Sequence, residues 1–151
     1  MGKQWLDGDY EVVNKSKYIG EKPPHYRSSW ELRAIQYFDH SPNVLKWGSE
    51  CLVIPYYYEL DKKTHKYYPD FYFEAIDKFK KIRKFIVEIK PQKQMIPPRK
   101  PKNVTQKSKA NYLNECATYI KNQNKWKTAK EFCSDRGFEF VVISETSLFP
   151  S

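Results

Sequence analysis

Asp70, Glu88 and Lys90 are residues whose types and spacing could do chemistry. Asp70 follows Pro69 in the run Tyr68 to Phe73, and Glu88 and Lys90 belong to the run Phe85 to Lys90, with Glu88 eighteen positions after Asp70. Aromatic and β-branched residues dominate both runs, which reads as two strands, and side chains two apart share a face of a strand. Glu88 and Lys90 therefore point the same way, while Phe85, Val87 and Ile89 turn to the opposite, apolar side. An antiparallel return through the polar segment 75–84 can bring Asp70 beside that pair. Adjacent carboxylates repel, and a hard divalent cation removes the repulsion by taking their oxygens as ligands. The pattern predicts Mg²⁺, with Mn²⁺ as a substitute, and a lysine at its side could position or deprotonate a water or hold a phosphate.

A third acid, Glu31, stands on a predicted helix. Ser28 and Glu31 have the spacing of a capping box, and the helix they open should run to about His40, before Ser41-Pro42 stops it. Glu31, Ala34, Ile35 and Phe38 fall at i, i+3, i+4 and i+7, so the acid shares the stripe that faces the core. Burying a carboxylate there is costly unless it is hydrogen-bonded, paired or bound to a metal. The bland alternative is that Glu31 only caps its own first turn. Arg27, just before the helix, is a candidate phosphate ligand or a partner in a surface ion pair. Glu50 is a further candidate acid, better described as a turn residue between helix and strand, and His25, His40 and His65 read as surface residues.

The elements that must position these residues fit one domain, because 151 residues suffice for a single core. Residues 1–24 read as an irregular arm, and its Trp5, Tyr10 and Tyr18 could dock on another protein or pack on their own domain; residues 25–151 read as the domain itself. The run Cys51 to Tyr58 is a predicted strand with Pro55 at an edge or bulge. From Pro91 to Lys109 four prolines alternate with Lys93, Arg99, Lys100, Lys102, Lys107 and Lys109, and no acid appears until Glu115. Such a loop should hold no regular element and should contact DNA phosphates without reading sequence, the alternative being a solubilising loop. From about Thr105 the pattern turns helical. Leu113, Cys116, Ala117 and Ile120 form one apolar stripe; Asn122 to Asn124 weaken the helix; Trp126, Ala129, Phe132 and Cys133 form a second stripe that Gly137 ends. Both stripes read as core, and Phe138 to Ser144 reads as a buried strand. The order is helix, three-stranded meander, one or two helices and a further strand: an α/β fold with a mixed sheet flanked by helices.

The formal net charge of +9 suits a polyanionic partner, with a merely solvated basic surface as the alternative. Aromatic residues make up 17% of the chain, enough to serve as core, as stacking platforms for bases or as a docking surface. Cys51, Cys116 and Cys133 are odd in number and widely spaced, which excludes a Cys-x-x-Cys zinc or redox motif and predicts reduced thiols. The first residues carry no apolar signal core and no myristoylation site, and nothing approaches the length of a membrane span. The protein is expected in the cytoplasm, away from membranes, with no small-molecule cofactor.

Pro69-Asp70 followed by Glu88-Ile89-Lys90 resembles the Pro-Asp…(Asp/Glu)-x-Lys signature of the restriction-endonuclease-like nucleases. A longer ordered set is similar to the head-completion nucleases of large tailed phages, which are related to the transposon-end endonuclease. It comprises Tyr26-Arg27-Ser28-Ser29-Trp30-Glu31, Trp47-Gly48-Ser49-Glu50, Tyr68-Pro69-Asp70-Phe71-Tyr72 and Val87-Glu88-Ile89-Lys90-Pro91. The short string alone is weak; the set with Arg-Ser-Ser-Trp-Glu in front is far more specific. The resemblance implies a restriction-endonuclease-like core, Asp70 and Glu88 as Mg²⁺ ligands, Glu31 as a further ligand or water partner, and Lys90 orienting the attacking water. It also implies a phage protein that processes packaged DNA at the portal end of a filled head, beside portal or head-neck proteins, in the host cytoplasm during assembly or retained in the virion. Two rivals remain: a joining protein that keeps the nuclease fold as a scaffold, and a junction-resolving or repair nuclease.

Overall fold

The computed structural model describes residues 7–148. In chain order the elements are β1 (Gly8–Asp9), β2 (His25–Tyr26), α1 (Ser29–His40), β3 (Val44–Ser49), β4 (Ile54–Tyr58), β5 (Lys63–Tyr67), β6 (Phe71–Ile76), β7 (Ile82–Ile89), a short 3₁₀ turn (Gln92–Met95), α2 (Gln106–Arg136), β8 (Glu139–Ile143) and α3 (Glu145–Leu148). A four-stranded sheet of order β3-β6-β7-β8 forms the centre; its first two pairings are antiparallel and β7 pairs with β8 in parallel. This is an α/β fold with a mixed sheet between helices, consistent with a restriction-endonuclease-like core.

Both faces of the sheet are covered. On one, Ala34, Ile35 and Phe38 of α1 meet Val44, Trp47, Phe71, Val87 and Ile89, so the helical stripe read from sequence does face the core. Phe38 lies 5.3 Å from Phe71 and 4.8 Å from Phe73, centroid to centroid, so the abundant aromatics are spent largely on packing here. On the other face, Ile86 joins Ile54, Tyr56 and Tyr67 of the β4–β5 hairpin and Trp126, Ala129 and Cys133 of α2. The face expected to carry only the acid and the amine is thus also a second apolar core.

The meander exists, but its first strand is β3 and not the run Cys51 to Tyr58. That run begins its strand at Ile54 and pairs with β5 in a separate hairpin inserted between β3 and β6. A two-stranded ribbon has too little core of its own, and this one rests on α2. The helical region is one 31-residue helix and not two: Thr105 and Ser108 form its capping box, and Gly137, at φ +73°, ends it. Tertiary contacts carry it through the asparagines. Asn122 is buried, and Asn124 Oδ1 accepts the Glu59 N–H at 3.1 Å. The expectation that the first stripe is core fails at Leu113, which is 57% exposed. Asn122, Trp126, Ala129 and Cys133 of α2 are buried, whereas Cys116, Ala117 and Ile120 of the first stripe are only half-buried.

The region 91–109 is not free of regular structure either. It holds the 3₁₀ turn, tied to α3 because the Glu145 carboxylate accepts the Gln92 N–H at 3.2 Å, and Lys107 and Lys109 stand on the first turn of α2. Trp5 lies outside the described residues. From Asp7 on, the arm packs on its own domain: β1 pairs with β2, and Lys17 and Ile19 share backbone hydrogen bonds with Trp47. The three cysteines are free thiols, exposed at Cys51, half-buried at Cys116 and buried at Cys133. No helix among the described residues is long and apolar enough to cross a membrane.

The arm is anchored by Asp39, which is fully buried near the end of α1. Its carboxylate accepts from the Tyr10 hydroxyl at 2.7 Å and from the N–H groups of Val13 and Asn14 at 2.9 Å each. Burial pushes its pKa up, but these donors pull it below the usual carboxylate value. A depressed folded pKa means stability present above the unfolded value, about 3.9, and lost as pH falls through the folded one. Asp39→Ala should therefore lose about 3 kcal/mol or more in urea unfolding at pH 7, by removing the buried acceptor of the Tyr10, Val13 and Asn14 donors, and the difference from the parent should narrow in acid. A loss below about 0.5 kcal/mol would show that the anchor lies elsewhere.

Candidate active site

Asp70 and Glu88 meet because of strand register. Phe71 pairs with Val87 across β6 and β7, so Asp70, one residue earlier, falls opposite Glu88, one residue later, on the same face. That face is the one turned to the hairpin and α2. Glu88 is only 6% exposed, and one of its oxygens accepts a hydrogen bond from the Tyr67 hydroxyl. Asp70 Oδ2 accepts the Ile89 N–H at 2.7 Å. Lys90 Nζ lies 4.0 Å from Glu88 Oε1.

The electrostatics follow from this crowding. Burial first, and then the neighbouring Glu88 charge, push the Asp70 pKa well above the usual carboxylate range; the Ile89 N–H pulls the other way, and Glu31 adds to the rise. Ionising both carboxyl groups at once is therefore unfavourable, and the pair favours holding one proton between them. Burial, the Glu88 charge and its hydrogen bond likewise raise the Tyr67 pKa, so its hydroxyl stays a donor.

Glu31 takes the capping role and also stands at a cavity. Ser28 Oγ accepts the Glu31 N–H at 3.2 Å, and Glu31 Oε2 reaches back to the Arg27 N–H at 2.5 Å. The same residue lines a cavity of about 160 Å³ together with Ser28, Asp70, Glu88, Lys90 and Gln94. The structure thus brings Glu31, Asp70, Glu88 and Lys90 around one space. Arg27 stands beside it in an ion pair with Glu50, 3.1 Å from guanidinium to carboxylate. Glu50 is a turn residue, as read, and an unusual one: its φ is +49°, a conformation that side chains other than glycine rarely adopt. Its N–H donates to the Asp70 carbonyl at 3.0 Å, so the backbone of Asp70 is held from behind. The six basic residues Lys93, Arg99, Lys100, Lys102, Lys107 and Lys109 are all exposed and lie outside the cavity. No histidine lines this cavity either; His25, in an adjoining groove with Arg27, Glu31 and Asp70, is paired to Asp7 and Asp9, and His65 to Asp61.

Two residues close to the acids carry no role in the sequence reading. Tyr67 ends β5 two residues before Pro69, and nothing short of the hairpin pairing shows that its hydroxyl meets Glu88. Lys125, far along α2, places Nζ 5.4 Å from the Tyr67 ring centroid. Burial lowers its pKa; Lys90 and Lys121 add to the lowering, while Glu88 and Asp70 oppose it. A signal for it existed: Lys125 lies three residues after Asn122 and four before Ala129, so a lysine sits inside a buried stripe, as Glu31 does in α1.

The donor set suits a divalent cation. Among the described residues no three acid, histidine or cysteine side chains gather as a ready-made metal cluster. What is present is a pair of facing, mutually repelling carboxyl groups, Glu88 buried and Asp70 half-buried, beside a cavity with room for a cation and several waters. Mg²⁺ commonly takes one or two carboxylates and keeps water on its remaining positions, so Asp70 and Glu88 would hold it.

Residues 41–145 match the family model described as TnsA-like endonuclease N terminal. Over 142 residues the chain is 36% identical to the head completion nuclease of Enterobacteria phage T4, an alignment covering 93% of this chain and 92% of that one. Asp70, Glu88 and Lys90 fall within the family match; Arg27 and Glu31 precede it.

A raised folded pKa means that the contribution of Asp70 to stability is full below its unfolded value and is lost as pH rises through the folded one. In EDTA, Asp70→Asn, which keeps the acceptor for the Ile89 N–H, should unfold at higher urea than the parent at pH 8, by a margin that shrinks toward pH 4. A variant less stable than the parent at pH 8 would mean that the two carboxyls do not repel.

Proposed function

Because this chain belongs to the TnsA-like endonuclease family, we propose that it is a metal-dependent DNA endonuclease that hydrolyses phosphodiester bonds at the Asp70–Glu88 cavity. The observation that carries the proposal is the pair of facing carboxyl groups, Glu88 buried and Asp70 half-buried, with an ammonium beside it. A scaffold has no physical need for such a pair, which costs stability in the absence of a ligand. Asp70 and Glu88 would bind the cation, Mg²⁺ or Mn²⁺, displacing the shared proton. When bound, the cation supplies Lewis-acid polarisation of the scissile phosphate and makes a water acidic enough to attack.

The remaining work falls to the protein's own groups. Lys90, only partly exposed and 4.0 Å from Glu88, is placed to orient the attacking water and to offset the negative charge that grows on the phosphate oxygens. The Tyr67 hydroxyl fixes one Glu88 oxygen, leaving the other toward Lys90. Glu31 acts as a further donor or as acceptor for a water at the cavity mouth. Arg27 and the exposed lysines and arginine of 93–109 bring a basic surface to a polyanion, in keeping with the net charge of +9.

The likeness to a phage head completion nuclease supports the same stage of action for this chain: processing of packaged DNA at the portal end of a filled head, beside portal or head-neck proteins. The host cytoplasm during assembly, or the virion, would be its place.

Cleavage of linear, nicked and branched DNA by the purified protein should require Mg²⁺ or Mn²⁺ and stop in EDTA. Asp70→Ala should lower the rate by about 10³-fold or more and Lys90→Ala by about 10²-fold or more, with folding retained. A folded parent that leaves every substrate intact, or an Asp70→Ala variant that cuts as fast as the parent, would overturn the proposal in favour of a joining protein.

A further inference from the structure

We propose that Lys121 and Lys125, on the α2 flank turned toward the carboxylate pair, form a binding site for DNA backbone phosphates adjoining the one that is cut. The inference rests on the endonuclease reading and adds a site to it. Lys125 belongs to the active-site wall: its Nζ lies 5.4 Å from the centroid of Tyr67 and 5.9 Å from that of Tyr56, and the Tyr67 hydroxyl is bonded to Glu88. Lys121, one turn earlier, places Nζ 5.5 Å from the centroid of Tyr58. Three tyrosines of the β4–β5 hairpin therefore hold two lysines of α2.

This arrangement has features of an anion site. Lys90, Lys121 and Lys125 are close enough to act on one another electrostatically. Like charges gathered on a half-buried wall are unfavourable without a counter-charge, and three lysines outnumber the two carboxyl groups beside them. A phosphodiester supplies another. Both lysines remain partly exposed and so within reach of a ligand. The aromatic faces hold the long side chains over the hairpin, which lowers the entropy lost when a phosphate is bound. One helical turn separates the two residues by about 6 Å along the axis, close to two phosphate steps of a duplex strand at about 3.4 Å each. On this reading the hairpin orients the phosphate-binding lysines of α2 beside the site of cutting.

The test is binding, read without cleavage. Fluorescence anisotropy of a labelled duplex in EDTA, repeated from about 50 to 200 mM salt, measures the phosphates neutralised, at about 0.9 in log–log slope for each contact. Lys121→Met and Lys125→Met should each flatten the slope by about one and weaken binding about 5- to 10-fold. The double variant should flatten it by about two, and Lys125→Arg should restore the parent slope. Lys121→Gln and Lys125→Gln give the same readout should a methionine disturb folding. Folded Met or Gln variants with the parent's slope and affinity would overturn the site and leave the nuclease reading standing, as expected if Lys125 only balances Glu88. A parent that neither binds nor cuts DNA would overturn both.

Discussion

Asp70 and Glu88 face each other across two central strands, Glu88 buried and Asp70 half-buried, where both cannot ionise without mutual repulsion. Holding them there is the constraint on which the rest of the fold depends. The register of β6 against β7 puts them opposite one another, and a slip of one residue would send Glu88 to the face that α1 covers. The Glu50 N–H grips the Asp70 carbonyl from a left-handed turn, and Tyr67 reaches over from the hairpin to Glu88. Repulsion and backbone strain at one location are tolerable because two apolar cores, one on each face of the sheet, stabilise the surroundings.

The division of labour between those cores explains the architecture. The α1 face is structural: stacked aromatics, and an arm fastened by the buried Asp39. It reaches the cavity at the start of α1, where Ser28 and Glu31 line it. The opposite face combines packing with the candidate site. Trp126, Ala129 and Cys133 fix α2 against the sheet, and Lys125, on the flank of the same stripe, is carried to the carboxylates. The inserted hairpin that rests on α2 completes that wall.

Much of this was legible from local pattern. Period-two alternation put Glu88 and Lys90 on one face, and the helical stripe of α1 put Glu31 beside the core, because both periods are properties of a single segment. Pairing is not such a property. Val44–Ser49 reads poorly as a strand: its pairing with β6 shifts register between Val44 and Lys46, and Gly48 interrupts it. The stronger apolar run after it drew the assignment, although that run pairs only with its own hairpin. The unbroken α2 was hidden because three residues of modest helix propensity look like a break, whereas tertiary contacts easily offset a few tenths of a kcal/mol each. Its exposed first half was hidden for the opposite reason: an apolar stripe at Leu113 says nothing of whether another element arrives to cover it. Tyr67 and Lys125 could be placed at the site only once the distant hairpin and helix were seen to converge there.

The central claim is that Asp70 and Glu88 share a proton that a divalent cation replaces. Isothermal titration calorimetry of Mg²⁺ or Mn²⁺ near neutral pH, in buffers of differing ionisation enthalpy, counts the protons released on binding. The account predicts binding to the parent with release of about one proton, and its loss in Glu88→Gln. Binding that releases no proton, or that survives Glu88→Gln at the parent's affinity, would contradict it.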